Sequence, residues 1–154
     1  MKRIVRRLLA LSSEECHLAL RSSFALPRLS FLLHDAKYAC RYAAPGELPL
    51  AVRSIATPNA QILRAKAAAG IINAVAARLP IDAKCLVRSV YLRRMLADYG
   101  IVASLKIGVR MDRSTFAAHA WVECHGSPIN DATDVAERFA AIEPLPAGTM
   151  SRYK

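Results

Sequence analysis

The stretch that decides the fold is Pro80-Ile81-Asp82-Ala83-Lys84-Cys85-Leu86-Val87-Arg88-Ser89, read together with Leu105-Lys106-Ile107-Gly108-Val109, Ala117-Ala118-His119-Ala120-Trp121-Val122-Glu123 and Asn130-Asp131. Residues 80–84 form a short connector, and Asp82 is placed to N-cap a helix that carries Cys85 in its first turn and ends at Gly100. Leu86, Val90, Leu92, Met95 and Leu96 give that helix a broad apolar face, with Arg88, Arg93, Arg94 and Asp98 assigned to its exposed side. Residues 103–110 alternate apolar and polar, the period of a half-buried strand. Residues 117–123 make a second strand, and residues 129–132 a third, joined to it across His125-Gly126-Ser127-Pro128. A short helix then runs from Asp134 to about Ile142.

Working outward, residues 1–43 read as helical through Leu18, Leu29, Leu32 and Leu33, with an interruption at Pro27. The Pro and Gly content of residues 43–49 marks a turn or linker. A second helix is expected from Asn59, an N-cap candidate after Pro58, to Arg78, where Leu79-Pro80 stops it. The fold class is α+β: a helical N-terminal half, then a Cys-bearing helix on a small antiparallel sheet. The 154 residues suit one domain, with residues 1–79 mainly helical, 80–142 the core and 143–154 a tail.

Hydrophobic residues make up 54% and charged residues 22%, which is globular rather than disordered. No apolar run approaches the roughly 18 residues of a membrane span. The opening Met1-Lys2-Arg3-Ile4-Val5-Arg6-Arg7 has the basic character of a secretory signal, but the apolar residues 8–11 are too few and run toward Glu14-Glu15, so a cytoplasmic protein is expected. Cysteines at 16, 40, 85 and 124 follow neither a disulfide rhythm nor a metal pattern, and the pairs Cys16-His17 and Cys124-His125 do not alter that. Cys16 and Cys40 are assigned to helical stretches as core or partly buried residues, and no metal or cofactor is expected. A net charge of +10 favours an acidic partner. Scattered Lys and Arg and only 6% aromatic residues argue against nucleic acid as that partner.

A thiol acts as a nucleophile in its thiolate form, which a helix N-terminus stabilises, so Cys85 is a candidate nucleophile. Buried cysteine is also a common packing residue, and position alone does not separate the two readings. Period-2 geometry puts His119, Trp121 and Glu123 on one strand face and Ala118, Ala120 and Val122 on the other. An imidazole needs a third group to fix its tautomer. Asp131, one hairpin away, falls near the level of His119 if the turn lies at Gly126-Ser127. Asp134 is the rival, but it suits an N-cap with Glu137 completing a capping box. Trp121 is read as a buried structural residue on the His119 face, and Glu123 as lying at its rim.

With Cys on a helix, His on a strand and Asp after it, residues 80–135 resemble the leader peptidases of lasso peptide biosynthesis, cysteine peptidases of the transglutaminase-like superfamily. The residues carrying the likeness include Cys85-Leu86-Val87-Arg88-Ser89, Leu92, Leu96, Gly100-Ile101, Ala118-His119-Ala120-Trp121-Val122-Glu123, Gly126 and Asn130-Asp131. The resemblance implies a papain/transglutaminase-like core, a catalytic triad of Cys85, His119 and Asp131, and removal of the leader from a leader–core precursor peptide. It also implies an ATP-dependent macrolactam synthetase that uses the freed core amine. Because the first 60 residues lack a run of alternating strands, the leader-recognition protein is expected to be separate. Two rivals stay open: a transglutaminase-like acyltransferase with the same triad, and a silent peptide- or nucleic-acid-binding module.

Overall fold

The computed structural model describes residues 12–34, 46–47, 56–112 and 115–142. Helix α1, Ser13–Leu32, opens with a capping box in which the Glu15 amide donates to Ser12 Oγ (3.3 Å) and the Ser12 amide donates to Glu15 Oε2 (2.7 Å). Pro27 does not interrupt it, contrary to expectation. An interior proline costs about 3 kcal/mol through a lost amide bond and ring crowding. Burial of Leu18, Ser22 and Leu26 along one stripe holds the helix together. Cys16 is exposed rather than core or partly buried, and Cys40 lies outside the described residues.

Helix α2, Pro58–Ala76, is capped by Thr57, whose hydroxyl accepts from the Ala60 amide (3.4 Å), not by Asn59. Pro58 occupies the first helical position, where its missing amide hydrogen has no partner to lose. Ala65, Ala68, Ala69 and Ala76 line its buried stripe, so α2 packs closely against α1. Two residues of the expected linker, Gly46–Glu47, form the short strand β1.

Helix α3, Cys85–Asp98, is the centre of the molecule: it packs on α1, α2 and the sheet. Val87, Ser89, Val90, Tyr91, Leu92, Met95, Leu96 and Ala97 are all buried. Arg93, expected on the solvent side, is only 4% exposed, and burial pushes its guanidinium below the usual value. The helix closes where expected. Gly100 takes φ 72°, its amide donates to the Ala97 carbonyl (3.0 Å), and the Ile101 amide donates to the Leu96 carbonyl (2.8 Å). The expected cap at its start is absent, since Lys84 holds the N-cap position without a side-chain bond and Asp82 is exposed.

Strands β2, Ser104–Asp112, and β3, Thr115–Cys124, pair antiparallel, with Gly108 opposite His119. β1 pairs with β2, as does β5, Ala140–Ala141, while β4, Ser127–Pro128, pairs with β3. His125 (φ 49°) and Gly126 (φ 75°) form the tight turn between β3 and β4, one residue earlier than the expected Gly126-Ser127, since both take the positive φ that such a two-residue turn needs. The expected third strand at residues 129–132 does not form, and the two-residue β4, Ser127–Pro128, lies instead within the expected turn. After the Ile129 amide donates to the Val122 carbonyl (2.9 Å), the Asn130 side chain replaces the backbone and accepts from the Val122 amide (2.8 Å). The last helix, α4, is a single turn, Val135–Arg138, instead of running to residue 142. Phe139 turns extended (φ −130°, ψ 121°) to bury its ring with Trp121 and Val135, and the chain then joins β2.

Gly108 makes that closure possible. A Cβ there would meet Phe139 Cβ and Trp121 Cζ3 at 2.9 Å and the Ala140 carbonyl at 3.0 Å. Gly108→Ala is therefore expected to lower stability by about 1–3 kcal/mol. Urea unfolding checks this as a lower midpoint at unchanged slope.

Candidate functional site

The site forms along the edge of β3 that faces away from β2. Both backbone groups of Val122 point to that edge, one bound by Ile129 and the other by Asn130. By strand alternation the backbone of Ala120 faces the same way. Its carbonyl is taken by the hydroxyl of Ser89 (2.9 Å), which lies on α3 one helical turn after Cys85. Residues four apart share a helix face with Cβ atoms about 5–6 Å apart, so the start of α3, with half-buried Cys85, is docked beside the segment that carries His119. Among the described residues no hydrogen bond joins the Cys85 thiol to His119.

His119 itself is held from the far side of the edge. Its Nε2 lies 2.5 Å from Asp131 Oδ2, with 23% and 21% of the two side chains exposed. The other carboxylate oxygen, Oδ1, accepts from the Ala132 amide (2.8 Å) and from Arg138 Nη2 (3.1 Å). Burial pushes the Asp131 carboxyl up, but the hydrogen bonds from His119 and Ala132 and the charges of His119 and Arg138 outweigh it and hold the group below its ordinary value. An ionised carboxylate only accepts, so the proton of a neutral His119 ring sits on Nε2 and the lone pair on Nδ1. This arrangement supplies an oriented base and, once protonated, an imidazolium with a carboxylate counter-ion.

The ring's faces are also fixed. Phe139 lies 5.0 Å away, tilted, and Trp121 stacks at 6.3 Å. Arg110 and Arg138 cover Phe139 at 5.2 and 5.9 Å. Trp121 is buried, as expected, and donates through Nε1 to Glu123 Oε1 (2.9 Å).

Asp134, the rival for His119, pairs with Arg138 Nε (3.2 Å) and makes neither a side-chain cap nor the expected capping box. Cys124 is buried, which pushes its thiol up and away from thiolate. Among the described residues, no cluster of His, Cys, Asp and Glu is suited to a metal ion. Sequence reasoning missed Arg138 and the bridging of Ser89 by Asn130, whose Nδ2 donates to Ser89 Oγ (2.8 Å). A signal for Ser89 lay in its spacing of four from Cys85, and one for Asn130 in its place beside Asp131.

The transglutaminase-like superfamily matches residues 30–143. The chain is also similar to the microcin J25-processing protein McjB of Escherichia coli, 41% identical over 61 residues. That segment is 40% of this chain and 28% of the relative's length. No solved structure matches the chain at a significant level. Among the described residues, no helix is long and apolar enough to cross a membrane.

Because the folded value of Asp131 lies below the unfolded one, its ionised form contributes stability that is present above about pH 4 and is lost as the pH falls through the lowered folded value. Asp131→Asn is expected to flatten this acid limb in a plot of Tm against pH. An unaltered acid limb would show that the carboxylate makes no net contribution.

Proposed function

The chain belongs to the transglutaminase-like superfamily, and from that premise we propose that it is a cysteine peptidase that removes the leader of a lasso precursor peptide, with Cys85, His119 and Asp131 as its triad. The observation that carries this reading is the Asp131–His119 pair at the strand edge onto which Ser89 docks the start of the Cys85 helix. The similarity to a microcin J25-processing protein supports the substrate class.

In this mechanism the Cys85 thiolate adds to the scissile carbonyl, and the oxyanion is held by amides at the start of α3, the Cys85 amide first among them. That helix start has no side-chain cap to compete for its amides. His119 gives its Nδ1 proton to the leaving amine, the C–N bond breaks, and a thioester remains on Cys85. Water then adds to the thioester as His119 takes its proton, which releases the leader carboxylate and restores the thiolate. Asp131 keeps the ring oriented and offsets the imidazolium charge. The positive charge of the chain suits presentation of an acidic leader by a separate recognition protein, and the freed core amine is the group a macrolactam synthetase consumes.

Incubation of a lasso precursor and its recognition protein with the enzyme is expected to yield a leader carboxylate and a core with a free amine. Cys85→Ala should lower that rate by at least about a thousandfold. Acid quenching should trap a leader acyl group on the Cys85 peptide, seen by mass spectrometry. Cleavage that survives Cys85→Ala would overturn the assignment. A product in which an added amine replaces water would instead identify a transglutaminase-like acyltransferase.

A further inference from the structure

We infer that Ser89 and Asn130 form a positioning clamp that sets the Cys85 thiol against the His119 imidazole. The inference rests on the triad reading above and goes beyond it, since neither residue touches the reacting atoms.

Three hydrogen bonds make the clamp. Ser89 Oγ donates to the Ala120 carbonyl (2.9 Å), Asn130 Nδ2 donates to Ser89 Oγ (2.8 Å), and Asn130 Oδ1 accepts from the Val122 amide (2.8 Å). They join the three separate elements that hold the proposed triad: α3 with Cys85, β3 with His119, and the segment after β4 with Asp131. Each clamp residue sits near its triad member. Ser89 is one turn from Cys85, the Ala120 carbonyl belongs to the residue after His119, and Asn130 precedes Asp131.

The choice of partner by Ser89 separates a clamp from ordinary packing. A buried serine in a helix can satisfy its hydroxyl on the carbonyl four residues back. Ser22 and Ser23 of α1 do so, donating to Leu18 (2.7 Å) and Ala19 (2.9 Å). Ser89 is fully buried, and its equivalent carbonyl would be that of Cys85, but the hydroxyl reaches across to β3 instead. Asn130 likewise gives both ends of its amide to other elements in place of the expected third strand. The helix start is thus fixed to the strand edge by directional bonds, whereas apolar contacts alone would let it slide. A shift of about 1 Å in a reacting pair costs on the order of a hundredfold in rate.

The test uses the purified full chain without substrate. Iodoacetamide labelling of Cys85 is followed from pH 5 to 9 by peptide mass spectrometry in the wild type, Ser89→Ala, Asn130→Ala, the double variant and Ser89→Thr. Ser22→Ala is the control, since it also deletes a fully buried hydroxyl of the core, and Tm is recorded for each. The clamp predicts that Ser89→Ala and Asn130→Ala slow Cys85 labelling at pH 6 about tenfold or more and move its rise to higher pH. The double variant should fall no further than the worse single one, because the two act as a unit. Ser89→Thr should retain the wild-type profile, and Ser22→Ala should lose Tm without moving it. If Ser89→Ala and Asn130→Ala lose Tm yet keep the wild-type pH profile, the two residues are structural and the inference fails. If the wild type itself shows no labelling of Cys85 in acid, the triad reading beneath it fails instead.

Discussion

A carboxylate and an imidazole 2.5 Å apart, both largely withdrawn from water, are the constraint to which the rest of this structure answers. Removing such a pair from water is costly unless its remaining lone pairs and protons find partners. Asp131 finds them in the Ala132 amide and Arg138, and the His119 ring is enclosed by Phe139 and Trp121. Each partner imposes its own requirement on the chain. Phe139 must leave the helix after one turn, Gly108 must lack a side chain to admit it, and Asn130 must stay out of strand pairing so that Asp131 can reach round the edge.

The helical half serves the same end by another route. Helix α3 is buried on nearly every side by α1, α2 and the sheet, and at about 25 cal/mol per Å² its apolar surface is a large stabilising term. Hydrophobic burial has no direction, however, and cannot by itself fix the rotation or advance of a helix along a strand. Directional bonds at the edge of β3 supply that information, and they fall within one turn of Cys85.

Much of this was legible in the sequence because it rests on local periodicity. The apolar face of the Cys85 helix, its stop at Gly100 and the alternation around His119 need only neighbouring residues to be read. The meeting of His119 with Asp131 was expected from a turn at Gly126-Ser127; it occurs with the turn one residue earlier, at His125-Gly126, because Asp131 reaches His119 from an irregular segment and not from a paired strand. The features that escaped depend on residues distant in sequence. Arg93 is buried because other elements cover its side of the helix, and Pro27 stays helical because Leu18, Ser22 and Leu26 are held by the core. Asn130 abandons the strand for Ser89, 41 residues earlier. The one-turn helix at Val135–Arg138 ends because Phe139 is drawn to Trp121, a pull that no local propensity records.

Activation of Cys85 by His119 is tested most directly by the rate of iodoacetamide labelling at pH 6 for Cys85 and for the exposed Cys16, in the wild type and in His119→Ala. Cys85 is expected to react much faster than Cys16, and His119→Ala to remove that advantage without changing Cys16. Equal rates at the two cysteines, or a fast Cys85 indifferent to the loss of His119, would contradict the assignment of His119 as its activating base.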